Sequence, residues 1–239
     1  MSQSIRENRP YIKGLGISWA SNTTLTVAAG ECSNSTNAYD LRIASALTLN
    51  AAVVGANGID TGALANSTVY NVFAIWQQVG FSVPAVILST SATPIYPNGY
   101  DICRRIGYAV TDGSAHFLLI YQFGSGEHRK YVYDAALSVL SGGASASYAA
   151  VDLSAAVPVV STPVTFRAIL TPTAADDVAT VRPSGSASTT HCTISGVVAA
   201  KIQQMQIIVP SLVVSGVPKV DYIVTGTLSL LVSAFEDYL

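Results

Sequence analysis

Apolar and polar residues alternate along most of this chain, and clusters of Pro, Gly, Ser and Asn break the alternation at short intervals. A period of two sends successive side chains to opposite faces of an extended backbone, so it specifies half-buried strands rather than helices. Thr24-Leu25-Thr26-Val27-Ala28 alternates cleanly, whereas Tyr70-Asn71-Val72-Phe73-Ala74-Ile75-Trp76 is apolar on both faces in its middle. Segments 102–110 and 116–123 read as strands flanking the turn Thr111-Asp112-Gly113-Ser114, because Asp-Gly between two such runs is a hairpin signal. Farther on, 163–170, 177–181, 193–201, 204–209, 219–224 and 227–235 read as strands, and Thr225-Gly226 makes a tight turn between the last two. Segment 41–52 has helix-tolerant residues but neither a cap nor a 3.6-residue stripe, so no helix is expected there.

The expected fold is therefore all-β, an antiparallel β-sandwich of jelly-roll type. Gly124-Ser125-Gly126-Glu127 marks a boundary, and ten of the twelve tyrosines precede residue 150. The expected division is a short extended arm over 1–13, a first β region over 14–126 and a second over 127–239. Two packed sheets of one sandwich are the alternative.

Half of the 239 residues are hydrophobic, enough for a sizeable core. Only 11% are charged, against roughly 25% in an ordinary soluble chain. So little charge protects poorly against association, and much of the surface is expected to be buried in an oligomer or larger assembly. The net charge is −2, with eight basic and seven acidic residues up to 130 and four and seven after it. Nothing in that distribution offers the basic stripe a nucleic-acid partner needs. Segment 1–13 lacks an apolar stretch of the signal-peptide kind, and no run of 18 apolar residues exists, so neither secretion nor membrane insertion is expected.

The chemistry-bearing residues are scattered. Cys32, Cys103 and Cys192 are odd in number and far apart, which suits small buried hydrophobes in a reducing cytoplasm. His116, His128 and His191 have no second ligand at strand or helix spacing, and the adjacent His191 and Cys192 point to opposite strand faces, so no metal is expected. No nucleophile-elbow sequence occurs. Asp176-Asp177 reads as a solvated turn, although a facing carboxylate pair drawn from Asp40, Asp60, Asp101 and Asp134 would suit a glycosidase. The Gly124-Ser125-Gly126 stretch lacks the Lys-Ser/Thr ending of a phosphate loop, and no cofactor is expected.

Tyr96-Pro97-Asn98-Gly99-Tyr100 is a turn flanked by two tyrosines, which could grip a sugar or a partner or pack over the rim of the sandwich. Tyr96, Asn98 and Tyr100, together with Arg129 and Lys130 from the most charged stretch of the chain, are the candidate contacts with a partner or host surface. Asp101, Arg104 and Arg105 are expected to form either an ion-paired network or an interface contact.

Gly14-Leu15-x-x-Ser18-Trp19, then Thr23-Thr24-Leu25-Thr26-Val27-Ala28-Ala29-Gly30, Asp40-Leu41, Gly58-Ile59-Asp60-Thr61-Gly62, Tyr70-x-Val72-Phe73-x-Ile75, Gly99-Tyr100-Asp101 and Arg104-Arg105-Ile106-Gly107 follow one another in an order that resembles a module of tailed-bacteriophage fibre and appendage proteins. The resemblance covers residues 11–125 well and the rest more loosely. It implies a non-enzymatic structural protein of the virion, made in the host cytoplasm. Such proteins are usually trimers, contact other virion proteins and attach through an N-terminal segment. Here that attachment arm would carry Arg6, Arg9, Tyr11 and Lys13. A tail-fibre, baseplate or collar component, a capsid-bound head fibre or decoration protein, a binder of host surface glycan and, more remotely, a polysaccharide-degrading enzyme all fit the resemblance.

Overall fold

The computed structural model describes residues 10–78, 83–124, 126–160, 162–189 and 191–239, and these form strands and turns with no helix among them. The first half contributes β1 (Ile12–Gly14), β2 (Ile17–Ser21), β3 (Thr24–Val27), β4 (Gly30–Ser33), β5 (Asp40–Ile43), β6 (Leu47–Asn50), β7 (Gly58–Ile59), β8 (Val69–Trp76), β9 (Ala85–Ser89) and β10 (Ile102–Val110). They build three small sheets, in the orders β1-β4-β5, β2-β3-β6 and β10-β8-β9-β7. The ladders are antiparallel except the short β7–β9 one, and an isolated parallel bridge joins Val54 to Ile59. Leu15, Val27, Leu49, Val72, Val86, Leu88 and Ile106 fill the core between these sheets.

The doubly apolar middle of β8 has a simple cause. Tyr70, Val72, Ala74 and Trp76 face the main core of this half, while Phe73 and Ile75 face a smaller core with Ala85, Ile87 and Cys103. The sheet is covered on both sides, so both faces must be apolar. Segment 41–52 yields two short strands, β5 and β6, and no helix.

The second half contributes β11 (Ile120–Phe123), β12 (His128–Gly143), β13 (Ala149–Asp152), β14 (Pro163–Thr171), β15 (Val178–Pro183), β16 (Cys192–Ser195), β17 (Gln203–Pro210), β18 (Leu212–Val214), β19 (Val217–Val224) and β20 (Thr227–Tyr238). One sheet runs β11-β12-β20-β14-β17 and the other β13-β19-β15-β16, with β18 beside β19. On β14, Val164, Phe166, Ala168 and Leu170 point into the core, and the residues between them point away. The two sheets sandwich Val181, Val209, Val220, Leu228, Leu230 and Phe235 among others.

Strand β10 belongs to both halves. Ile106 and Ala109 enter the first core, while Tyr108 and Val110 enter the second. The switch occurs at a bulge between Arg105 and Gly107. A Cβ on Gly107 would lie 2.6 Å from Ile17 Cδ1 and 2.8 Å from the Tyr131 hydroxyl, so a larger residue would have to push these side chains aside.

Several expectations change. The boundary expected at residue 126 falls inside the β11–β12 hairpin, and the chain crosses from the first core to the second over 111–119 instead. The Asp112-Gly113 turn closes a single bridge, Thr111 to Phe117, because β11 pairs with β12 rather than β10. Thr225-Gly226 is no hairpin turn: β19 and β20 lie in different sheets, and the pair forms the corner between them. Gly226 takes φ +138° there, and a Cβ would sit 2.9 Å from Thr171 O. The strand expected over 193–201 stops at Ser195. Of the expected arm, residues 1–9 lie outside the described residues, and Ile12 and Lys13 are paired into the first sheet.

Candidate functional site

The bulge in β10 places two arginines at the junction of the halves, one pointing to each side of the strand. Arg104 is buried; its Nη2 donates to Glu127 Oε1 at 2.7 Å and to the main-chain oxygen of Leu239 at 2.8 Å. Arg105 Nη2 donates to the buried Asp237 at 3.2 Å, and its guanidinium lies 5.0 Å from the Tyr108 ring centre. From the other half, Arg129 donates to the carbonyls of Leu15 at 3.1 Å, Gly14 at 2.8 Å and Gly126 at 3.3 Å. Burial pushes the Arg129 pKa below the ordinary arginine value. Three guanidiniums with directional donors thus tie β10 and β12 to chain segments far away in sequence. Behind them Tyr131 stacks on Phe235 at 4.7 Å, and Tyr108 meets both rings edge-on. Burial raises the pKa of Tyr108, Tyr131 and Tyr133, whose hydroxyls stay protonated; that of Tyr133 donates to Ala156 O.

Two clefts open along this junction. One, of about 540 Å³, is bordered by Tyr96, Cys103, Arg104, Arg105 and Glu127. The other, of about 330 Å³, lies between Asn71, Thr90 and Arg105 on one side and Ser154, Val157 and Pro158 on the other. The arginines between them are already paired, so neither cleft presents a free cationic centre.

The sequence-derived candidates separate clearly. Arg6 and Arg9 lie outside the described residues. Tyr11 exchanges hydrogen bonds with Ser33, and burial followed by a hydrogen bond to Asp40 pushes its pKa up to about 12. Lys13 is exposed beside Glu31 at 3.5 Å. Tyr96 donates to Cys103 Sγ at 3.1 Å and Tyr100 to Val83 O at 3.0 Å, and both rings pack on the small core beneath them. That loop is a lid whose tyrosines are engaged, and Asn98 is its exposed tip. Arg129, expected at a partner contact, is 2% exposed with its guanidinium bound inside the molecule, so it joins the halves instead. Lys130 is part-exposed and pairs with Glu236 at 3.4 Å. Asp101 accepts from Gln78 N rather than pairing with Arg104 or Arg105.

The acids weighed in the sequence are engaged locally. Asp177 Oδ2 accepts the amides of Thr173 and Ala174 and the Thr173 hydroxyl, and these amides hold its carboxyl below the usual carboxylate range. Asp60 accepts from Ile95 N, and Asp134 from the Tyr121 hydroxyl. Among the described residues no cluster of three His, Cys, Asp or Glu side chains could hold a metal ion.

The feature that sequence reading missed lies elsewhere. Among the described residues nineteen large hydrophobic residues are exposed, and eight of them fall in 197–214. They are Val197, Val198, Ile202, Met205, Ile208 and the three residues of β18, between 36% and 71% exposed. Residues 202–218 contain no charged side chain, a signal that was visible in the sequence but had no meaning until β17 was placed at a sheet edge. Fold and surface together define an all-β protein of packed sheets with a polar seam and an aliphatic edge.

No protein-family model matches the chain, and no curated protein matches it. Among solved structures, one titled "Structure of infectious bursal disease virus Gx strain" aligns over 95% of this chain and 66% of its own, with 11% identity and a TM-score of 0.20. The chain therefore spans just under two thirds of that structure's length, and likeness at this level informs neither fold nor function.

Proposed function

We propose that this protein is a non-enzymatic, homo-oligomeric structural component of a tailed-bacteriophage particle, an appendage protein of the fibre, baseplate or collar kind. The observation that carries the reading is the aliphatic edge at 197–214, on a chain with only 11% charged residues. A monomer guards an open strand edge with lysines, prolines or bulges, and a large uncharged apolar stretch in their place is the mark of an assembly surface. The ordered motifs from Gly14 to Gly107 supply the resemblance to phage appendages.

The junction clefts support this reading better than a catalytic one. Their cations are paired within the chain, and Tyr96 and Tyr100 spend their hydroxyls on the protein itself. The experiment is to label the protein with antibody on purified phage particles and image them. Label at a regular position on the particle supports the proposal, and where it falls separates tail, baseplate or collar from capsid. Particles that carry no label, from a lysate that contains the protein, would refute it.

A further inference from the structure

Strand β17 ends the five-stranded sheet: β14 pairs with one side of it over Pro163–Pro210 to Leu170–Gln203. Among the described residues, no backbone hydrogen bond reaches its other side. An eight-residue strand left this way presents a row of amide and carbonyl groups roughly 27 Å long, ready to accept another strand.

No lysine and no bulge interrupts this side of β17. The only prolines on this stretch are Pro210, at the strand's last position, and Pro218, beyond β18. Lys201 and Lys219 flank the charge-free stretch but do not enter it. Strands β15 and β16 of the other sheet lie against β17, so the open sides of both sheets face the same way. The short β18 sits on the β15 side of β19 and presents its exposed run there too.

We infer that β17 is the seam of self-association, pairing edge to edge with a second copy of this chain. This rests on the proposed assembly role and names the surface that serves it. A second copy is the occupant that fits for two reasons. The stretch is uncharged, so two copies approach without like-charge repulsion, whereas a charged partner would find nothing to pair with. The area also matches. Taking about 100 Å² as the apolar area of one fully buried aliphatic side chain, the exposed portions of the eight aliphatic residues offer roughly 400 Å². A standard interface of ~800 Å² per partner, a little over half of it apolar, needs about that much.

The test compares three purified full-length proteins by light scattering across the micromolar range: wild type, the double variant Met205→Lys/Ile208→Lys, and the control Val53→Lys/Val54→Lys, which alters exposed valines of the first half. Circular dichroism and urea midpoints establish that each variant is folded. The inference expects wild type and control to assemble and the β17 variant to run as a folded monomer. A folded β17 variant that assembles like wild type overturns the seam but leaves the assembly role standing. A wild type that stays monomeric throughout overturns the seam as well, and particle labelling then decides the proposed function by itself.

Discussion

The two halves of this molecule handle exposed strands in opposite ways. In the first, three small sheets share a core, and the second face of the β10-β8-β9-β7 sheet is roofed by the loop carrying Tyr96 and Tyr100. Its turns are tied by side chains: Asn34 accepts from Ala38 and Tyr39, Asn57 from Val86, and Asp60 from Ile95. In the second half, two larger sheets enclose a single apolar core, and β17 is left with an open, uncharged side. The densest run of exposed aliphatic side chains among the described residues therefore lies on the second half, at 197–214. If the proposed association is real, the contrast puts it on the second half.

That contrast depends on the halves being coupled, and the largest predicted effect tests the coupling. Phe235 is fully buried and stacked against Tyr131, with Tyr108 of the shared strand edge-on to it. Phe235→Ala is expected to cost about 4 kcal/mol. Both tryptophans, Trp19 and Trp76, lie in the first half. If β10 couples the halves, tryptophan fluorescence and circular dichroism will show the same lowered urea midpoint. A fluorescence transition left at the wild-type position would mean that the halves unfold separately.

Arg129→Ala addresses the seam itself. It leaves the carbonyls of Gly14, Leu15 and Gly126 without their donor, at an expected cost of about 3 kcal/mol. The loss should be accompanied by faster amide exchange in β1 and β2. Unchanged stability would show that the clamp contributes nothing to joining the halves.

Cys32 sharpens the picture of the first core. Burial pushes its thiol from 9 up to about 12. Above pH 9 the unfolded chain releases this proton while the folded one retains it, so stability is full below pH 9 and falls as pH rises toward 12. The slope from this one group is roughly 1.4 kcal/mol per pH unit. A Cys32→Ala variant, unfolded by urea at successive pH values, should show a shallower alkaline decline than wild type. Parallel declines would contradict a buried, protonated thiol.

Much of this was legible in the sequence, for a physical reason. Period-two alternation is a local property, so β3, β8, β10, β14 and β20 could be read directly from residues such as Thr24–Val27 and Pro163–Thr171. Partner choice is not local. The Asp112-Gly113 and Thr225-Gly226 turns have hairpin chemistry, yet the strands beside them join different sheets. Strand β12 escaped notice because its alternation breaks at Asp134-Ala135-Ala136, where the register against β20 shifts between Val132 and Leu137. Arg129 looked like a surface charge because its position in a charged stretch carries no record of the carbonyls that fold back over it. The open edge was unreadable for the same reason: Gln203–Pro210 has the pattern of any strand, and only sheet order makes it the last.

The smallest effect on the fold is expected from the edge. Met205 and Ile208 are exposed, so Met205→Lys/Ile208→Lys should change the monomer's stability by no more than about 0.5 kcal/mol per site, measured at dilution where no assembly persists. A larger loss would place these side chains in the core of the second half and remove the contrast between the halves.

Hydrogen exchange of the intact protein at increasing concentration tests the central claim most directly. Amides of 203–209 that point away from β14 are expected to gain protection as concentration rises, while those of β8 and β9, already enclosed on both faces, do not change. Protection that rises in the first half instead, or edge amides that exchange equally fast at every concentration, would contradict it.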